Sequence, residues 1–91
     1  MITQTQIESV RKYLQGEFPD YKINDYDDPD YLSIKFTLMN NSKLYVVKFE
    51  RRFLDDNSDL KGALQNLELS EFMKSNDGKQ VFVGSKGLSL L

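Results

Sequence analysis

The sequence predicts an α+β protein, a two-layer sandwich in which helices cover one face of an antiparallel sheet. Apolar residues alternate over Tyr31–Arg52 as in two half-buried strands, and they recur at helical spacing over Ile7–Leu14 and Leu60–Leu67. The predicted element order is α-β-β-β-α-α-β, and successive antiparallel strands with flanking helices are typical of this class. We therefore expect a single α+β domain over residues 1–91.

Composition excludes several classes of function. The 91 residues have a net charge of −2, with 40% hydrophobic and 29% charged residues, as is usual for a globular protein. The chain has no Cys, which excludes a disulfide, a thiolate nucleophile and a zinc-thiolate site. It also has no His, the side chain that most often acts as a general base. No apolar run approaches the ~20 residues of a membrane span, and no signal peptide is recognisable. We therefore expect a cytoplasmic, non-enzymatic protein without cofactor, metal or membrane contact.

The chain starts with a predicted helix over residues 3–15. Thr5 and Glu8 fit a capping box, and Gly16 suits the left-handed residue that often follows a helix. The apolar stripe of this helix consists of Ile7, Val10 and Leu14. Tyr21–Tyr26 then predicts a short, polar strand at an edge of the sheet.

The next two strands form a predicted β-hairpin around a two-residue turn at Asn40-Asn41, because Asn tolerates positive φ. This turn pairs Leu32 with Phe49, Ile34 with Val47, and Phe36 with Tyr45. All the large apolar side chains of the hairpin then share one face. We expect that face to be buried under the stripe of the first helix.

The C-terminal half continues with an acidic helix start at Asp55–Asp59 and a helical stripe over Leu60–Leu67. Residues Leu69–Ser75 fit a short helix or a strand, and two adjacent apolar residues within them favour the helix, since they break a period of two. Gln80–Val83 predicts a short strand whose place in the sheet is open. Leu88–Leu91 is an apolar tail that could fold back against the core.

The face of the hairpin opposite the core is more apolar than a solvated sheet face needs, above all at Leu44 and Val46. We therefore predict that a protein partner or a second copy of the chain covers it. The candidate partner-binding residues are Leu44, Val46, Met39, Thr37, Lys35 and Lys48. Two alternatives are tolerated surface residues and cover by Leu88, Leu90 and Leu91 of the tail.

The predicted outline of helix, three strands and helix is similar to that of type III secretion chaperones. Those chaperones are also acidic binding proteins, so the likeness in element order implies a binding role. The alternative function is that of a nucleic-acid-associated accessory protein. Its candidate residues on the basic third strand are Lys43, Lys48, Arg51 and Arg52. Double-stranded-RNA-binding domains share the element order, but their second helix begins with a basic cluster, whereas Asp55–Asp59 stands here.

Metal and nuclease chemistry are the last alternatives. The acidic run Asp25–Asp30 lacks the Gly and Glu of a calcium loop, and we favour its pairing with Arg51 and Arg52 over a magnesium site. Asp30 and Glu50 resemble the acids of some metal-dependent nucleases, but strand alternation places them on opposite faces of the sheet. We therefore expect no nuclease activity.

Overall fold

The computed structural model describes residues 3–28 and 32–91, and this part of the chain contains four helices and a five-stranded sheet. The helices are α1 (Gln4–Glu17), α2 (Arg51–Asp56), α3 (Leu60–Leu67) and α4 (Leu69–Ser75). The strands are β1 (Lys22–Asp28), β2 (Ser33–Met39), β3 (Leu44–Glu50), β4 (Gln80–Gly84) and β5 (Gly87–Leu90). The predicted α+β class is confirmed, and the predicted element order gains one helix, α2, and one strand, β5.

The strands lie in the order β1-β2-β3-β4-β5. The β1–β2 and β2–β3 pairs are antiparallel as predicted, the additional strand β5 is antiparallel to β4, and β3 and β4 run parallel. Parallel neighbours require a long crossover, and α2, α3 and α4 supply it by returning the chain to the end of the sheet where β3 began. The sheet is therefore mixed, and the strand predicted over Gln80–Val83 joins it next to β3.

The β2–β3 hairpin has a longer loop than the predicted two-residue turn. The Asn40 carboxamide oxygen accepts hydrogen bonds from the backbone N–H groups of Ser42 (3.0 Å) and Lys43 (2.9 Å), and the Asn40 N–H donates to the Lys43 carbonyl (3.0 Å). The register is consequently shifted by two residues: Ile34 lies opposite Phe49, Phe36 opposite Val47, and Leu38 opposite Tyr45. Because side chains alternate with a period of two, the shift leaves each strand residue on its predicted face.

The core lies between the sheet and the helices. Ile34, Phe36, Val47 and Phe49 are buried as predicted and belong to one cluster with Val10 and Leu14 of α1, against which Ile7 packs. The predicted burial of Leu32 is wrong, because this residue precedes β2, has a φ of 50° and is 57% exposed. Its carbonyl accepts a hydrogen bond from the Arg51 N–H (2.9 Å), which closes the far end of the hairpin.

Helix α1 is capped by Thr3. The Thr3 hydroxyl accepts a hydrogen bond from the Gln6 N–H (3.2 Å), and the Gln6 side chain accepts one from the Thr3 N–H (2.7 Å). The capping box predicted at Thr5 is therefore two residues too late. Gly16 is not left-handed but lies within the helix, which continues to Glu17.

The segment that fitted either a helix or a strand is helix α4. Glu68, with a φ of 56°, separates it from α3. The Ser70 N–H donates to the Tyr13 hydroxyl (3.2 Å), and the Ser70 hydroxyl donates to the Glu17 carboxylate (2.6 Å). These bonds join α4 to α1 over the inner face of the sheet.

Candidate functional site

Residues from all four helices pack against the inner face of the sheet, and we call its other side the open face. Alternation along the strands assigns the residues of the open face. They include Lys22, Asn24 and Tyr26 of β1, Ser33, Lys35, Thr37 and Met39 of β2, Leu44, Val46, Lys48 and Glu50 of β3, Gln80 and Phe82 of β4, and Ser89 of β5. The described part of the chain therefore leaves one complete surface of the sheet without a helix layer.

The structure brings all six predicted partner-binding residues together on the open face. They form three neighbouring cross-strand pairs, in which Met39 lies opposite Leu44, Thr37 opposite Val46, and Lys35 opposite Lys48. Directly opposed side chains are close enough to form one continuous surface. The six residues thus make a strip along the hairpin, apolar near its loop and basic near its middle.

The apolar end of this strip is exposed. Met39 and Leu44 are about half exposed (48% and 50%) and supply two of the six large apolar side chains that are exposed among the described residues. Tyr26, beside Lys35 on the same face, is a third (52%). Val46 lies beside Leu44 along the surface of β3 and is half-buried. Apolar side chains grouped on a sheet face mark interaction surfaces in soluble proteins.

The basic part of the strip belongs to a row across the sheet. The register aligns Tyr26, Lys35, Lys48 and Phe82 on four successive strands. The Lys35 ammonium lies 5.4 Å from the centre of the Tyr26 ring, a cation–π distance. Two cations therefore lie side by side at the middle of the open face, with an aromatic ring on either side.

A shallow depression of about 500 Å³ lies beside Lys48. It is lined by Ser33, Lys48, Gln80, Phe82 and Leu91. The Phe82 ring lies over Gly84, where an added Cβ would be 2.6 Å from a ring carbon. The missing side chain at Gly84 therefore gives the ring room to form one wall of the depression.

The C-terminal tail does not cover the open face. Instead, the tail forms β5 at the edge of the sheet, where Leu88 and Leu90 lie opposite the inward-facing Val83 and Val81. Leu91 is 64% exposed beside the open face. The alternative of cover by the tail is therefore wrong, and Met39 and Leu44 stay exposed in the described structure.

The four basic residues of the nucleic-acid alternative do not form one cluster. Lys43 lies in the hairpin loop, where the Asp77 carboxylate 3.5 Å from its ammonium raises the pKa of the lysine. Arg51 and Arg52 lie beyond the other end of β3 and share a cleft with two aspartates of α2. The seven residues of β3 span roughly 20 Å and separate Lys43 from the two arginines. Of the four residues, Lys48 is the one that lies within β3 on the open face.

The structure describes the side chains of Asp25, Tyr26 and Asp27 of the acidic run, and the rest of the predicted pairing with Arg51 and Arg52 lies outside the described residues. Asp25 forms an ion pair with Arg11 of α1, whose guanidinium also donates to the Ile23 carbonyl (3.0 Å). Glu50 lies on the outer side of β3 and accepts a hydrogen bond from the Ser85 N–H (3.2 Å). Asp30 of the nuclease comparison lies outside the described residues.

Within residues 3–28 and 32–91, no three His, Cys, Asp or Glu side chains are grouped as a metal site. The same part of the chain has no helix with the length and apolar character needed to cross a membrane. Comparisons of the chain with protein-family models, curated proteins and solved structures found no match. The predictions of no enzymatic activity and of a cytoplasmic location stay predictions.

Two aromatic residues of the open face were not among the predicted site residues. Phe82 stands within the continuous apolar run Val81–Val83, which hides the alternation that turns Val81 and Val83 inward and Phe82 outward. Tyr26 has the same parity as the polar residues Lys22 and Asn24 of β1, and this parity is the signal in the sequence that places it on the open face. Neither residue belongs to the hairpin, so the pattern of the hairpin alone does not predict that the two rings flank Lys35 and Lys48.

Proposed function

We propose that this protein is a non-enzymatic binding module whose open face binds another protein. The observation that carries the proposal is the strip of three cross-strand pairs, whose end at Met39 and Leu44 is exposed and whose other four residues are half-buried. The core is complete without this strip, because the buried cluster contains none of its residues. Its apolar content is therefore best explained by contact with a second molecule.

Charge indicates the chemistry of the partner. Lys35 and Lys48 are opposed across two strands and make this part of the open face basic. A partner that brings carboxylates to the basic part and apolar side chains to Leu44 and Val46 would match both parts of the strip. An apolar centre with a charged rim is the usual arrangement of such interfaces.

Site-specific photo-crosslinking tests the proposal. A photoreactive amino acid in place of Leu44 is compared with the same amino acid in place of Gln65, an exposed residue of α3 on the helix layer. The captured protein is identified, produced separately and titrated against wild type, Val46→Lys and Gln65→Lys. We expect Val46→Lys to weaken binding at least about tenfold and Gln65→Lys to leave it unchanged.

Two results would overturn the proposal. One is the absence of any adduct at position 44 beyond those obtained at position 65. The other is equal affinity of the purified partner for the Val46→Lys and Gln65→Lys variants. Either result would show that the open face is merely a solvated surface.

A second candidate function is binding of single-stranded nucleic acid, which the row Tyr26, Lys35, Lys48 and Phe82 supports. Aromatic rings on a sheet face stack with bases, and lysines between them contact phosphates. Two phosphate contacts predict a slope of about −1.4 for log K against log salt concentration.

Anisotropy titration of mixed single-stranded DNA and RNA, with wild type and Phe82→Leu, tests this candidate. No binding at low salt would exclude it.

A further inference from the structure

The two edges of the sheet differ in charge. Strand β1 has the sequence KINDYDD, with one lysine and three aspartates, and charges on an edge strand prevent pairing with another chain. Strand β5 has the sequence GLSL, in which no side chain is charged. Leu90 and Leu91 are 40% and 64% exposed. The edge at β5 is therefore apolar and lacks the protection that β1 has.

The hydrogen-bonding groups of β5 that point away from the sheet can be identified. The Leu91 N–H donates to the Gln80 carbonyl (2.9 Å), and hydrogen-bonded pairs alternate along antiparallel strands. Ser89, opposite Phe82, therefore directs its backbone groups toward β4. The backbone N–H and C=O groups of Leu88 and Leu90 point to the outer side of β5, where the described part of the chain places no further strand.

We propose that β5 pairs antiparallel with β5 of a second copy of this chain and so joins two sheets into one of ten strands. A two-fold axis at Ser89 places Leu88 of each copy opposite Leu90 of the other. Four hydrogen bonds then satisfy all the outward backbone groups of both residues. Registers shifted by two residues would leave some of these groups without a partner.

Side chains support the same arrangement. Leu88 and Leu90 lie on the inner side of the sheet, opposite Val83 and Val81. Leu88 is only half-buried, because it packs at the margin of the core. In the dimer these two leucines and their two counterparts form one apolar row beneath the joined strands. No like charges oppose each other in this pairing, whereas a two-fold axis at Asp25 of β1 would place two aspartates together.

The proposed dimer leaves the open face accessible. Ser89 shares the outer side of the sheet with Phe82, so the two open faces become parts of one surface. This inference goes beyond the proposed function, since a dimer through β5 can form whether or not the open face binds a partner.

Disulfide trapping tests the dimer directly, because the chain has no Cys. In the proposed register Ser89 of one copy faces Ser89 of the other in a non-hydrogen-bonded pair, with Cα atoms ~4.5 Å apart, a distance that a disulfide spans. Ser89→Cys should therefore become a covalent dimer with oxidised glutathione. The matched control, Ser42→Cys in the exposed hairpin loop, should stay a monomer under denaturing conditions. Equal cross-linking of the two variants would overturn the proposal.

Sedimentation velocity at micromolar concentration provides the second test. We expect wild type to have twice the mass of one chain, Leu90→Lys to be a folded monomer, and Val46→Lys to stay a dimer. A monomeric wild type would overturn the proposal. The proposal would also be overturned if Leu90→Lys were a dimer and Val46→Lys a monomer, because the chain would then self-associate through the open face. Loss of partner binding by Val46→Lys without loss of the dimer supports both the proposed function and this inference.

Discussion

The two faces of the sheet are built from alternate residues of the same strands, and they have different roles. In β2 the inward residues Ile34, Phe36 and Leu38 are at most 1% exposed. Of the outward residues, Met39 is 48% exposed, Lys35 and Thr37 are half-buried, and Ser33 at the far end of the strand is 1% exposed. The inward residues belong to one cluster with all four helices, and no open-face residue belongs to it. The comparison indicates that the inner face determines stability and leaves the open face available for binding.

The largest expected effect on stability comes from truncation of the inner face. Phe36 is fully buried and packs edge to face against Phe49, with ring centres 5.6 Å apart. We expect Phe36→Ala to lower the free energy of unfolding by ~3–5 kcal/mol. Urea denaturation followed by circular dichroism measures this loss.

The matched control lies next along the same strand. Thr37→Ala on the open face should lower the free energy of unfolding by less than about 1 kcal/mol. Similar losses for the two variants would contradict the division of roles between the faces.

A smaller loss of unfolding free energy is expected when the ion pair between α1 and β1 is removed. Arg11 and Asp25 form a partly buried ion pair, and the Arg11 guanidinium lies 5.9 Å from the centre of the Phe36 ring. Arg11→Ala leaves the aspartate unpaired beside the core, at an expected cost of about 1–2 kcal/mol in unfolding free energy. Lys12→Ala, at the exposed neighbouring position, is the control. Equal costs in denaturation would show that this pair does not stabilise the edge of the sheet.

A titratable group also belongs to the inner face. Burial raises the pKa of the Tyr45 phenol above its ordinary value of about 10. The neutral phenol is therefore favoured in the folded state, so stability is retained below about pH 10 and falls as the pH rises through the folded pKa. Tyr45→Phe should reduce this alkaline loss. Unfolding measured from pH 8 to 11 decides it, and identical pH profiles for both proteins would contradict the assignment.

The faces of the hairpin could be predicted from the sequence, although its register could not. The period-two pattern places Phe36 and Val47 on one side in either register, because a shift of two residues preserves parity. The loop length depends on the bonds from the Asn40 side chain to Ser42 and Lys43, and the pair Asn40-Asn41 fits a two-residue turn equally well. The face of each hairpin residue was therefore predicted correctly, although the two strands were aligned incorrectly.

The rest of the sheet depends on contacts between distant parts of the chain. The parallel pairing of β4 with β3 follows from three helices that return the chain, and no local pattern in Gln80–Gly84 specifies the strand beside it. Strand β5 is only four residues long, and its apolar residues are equally compatible with a tail over the core. Phe82 and Leu91 could therefore not be assigned to the surface around Lys48 before the sheet order was known.

The smallest expected change in stability accompanies the largest expected change in binding. Val46 is half-buried on the open face and lies opposite Thr37. Val46→Lys should lower the unfolding free energy by less than about 1 kcal/mol, because the inner face is unchanged. The same substitution places a charge in the apolar part of the strip, where a partner would have to desolvate it.

The direct test of separate roles for the two faces uses wild type, Val46→Lys and Gln65→Lys. For each protein, the free energy of unfolding is measured together with its affinity for the cross-linked partner. We expect three proteins of nearly equal stability, of which only Val46→Lys loses the partner. Retained affinity in Val46→Lys, or a loss of binding that merely accompanies unfolding, would contradict the separation of roles.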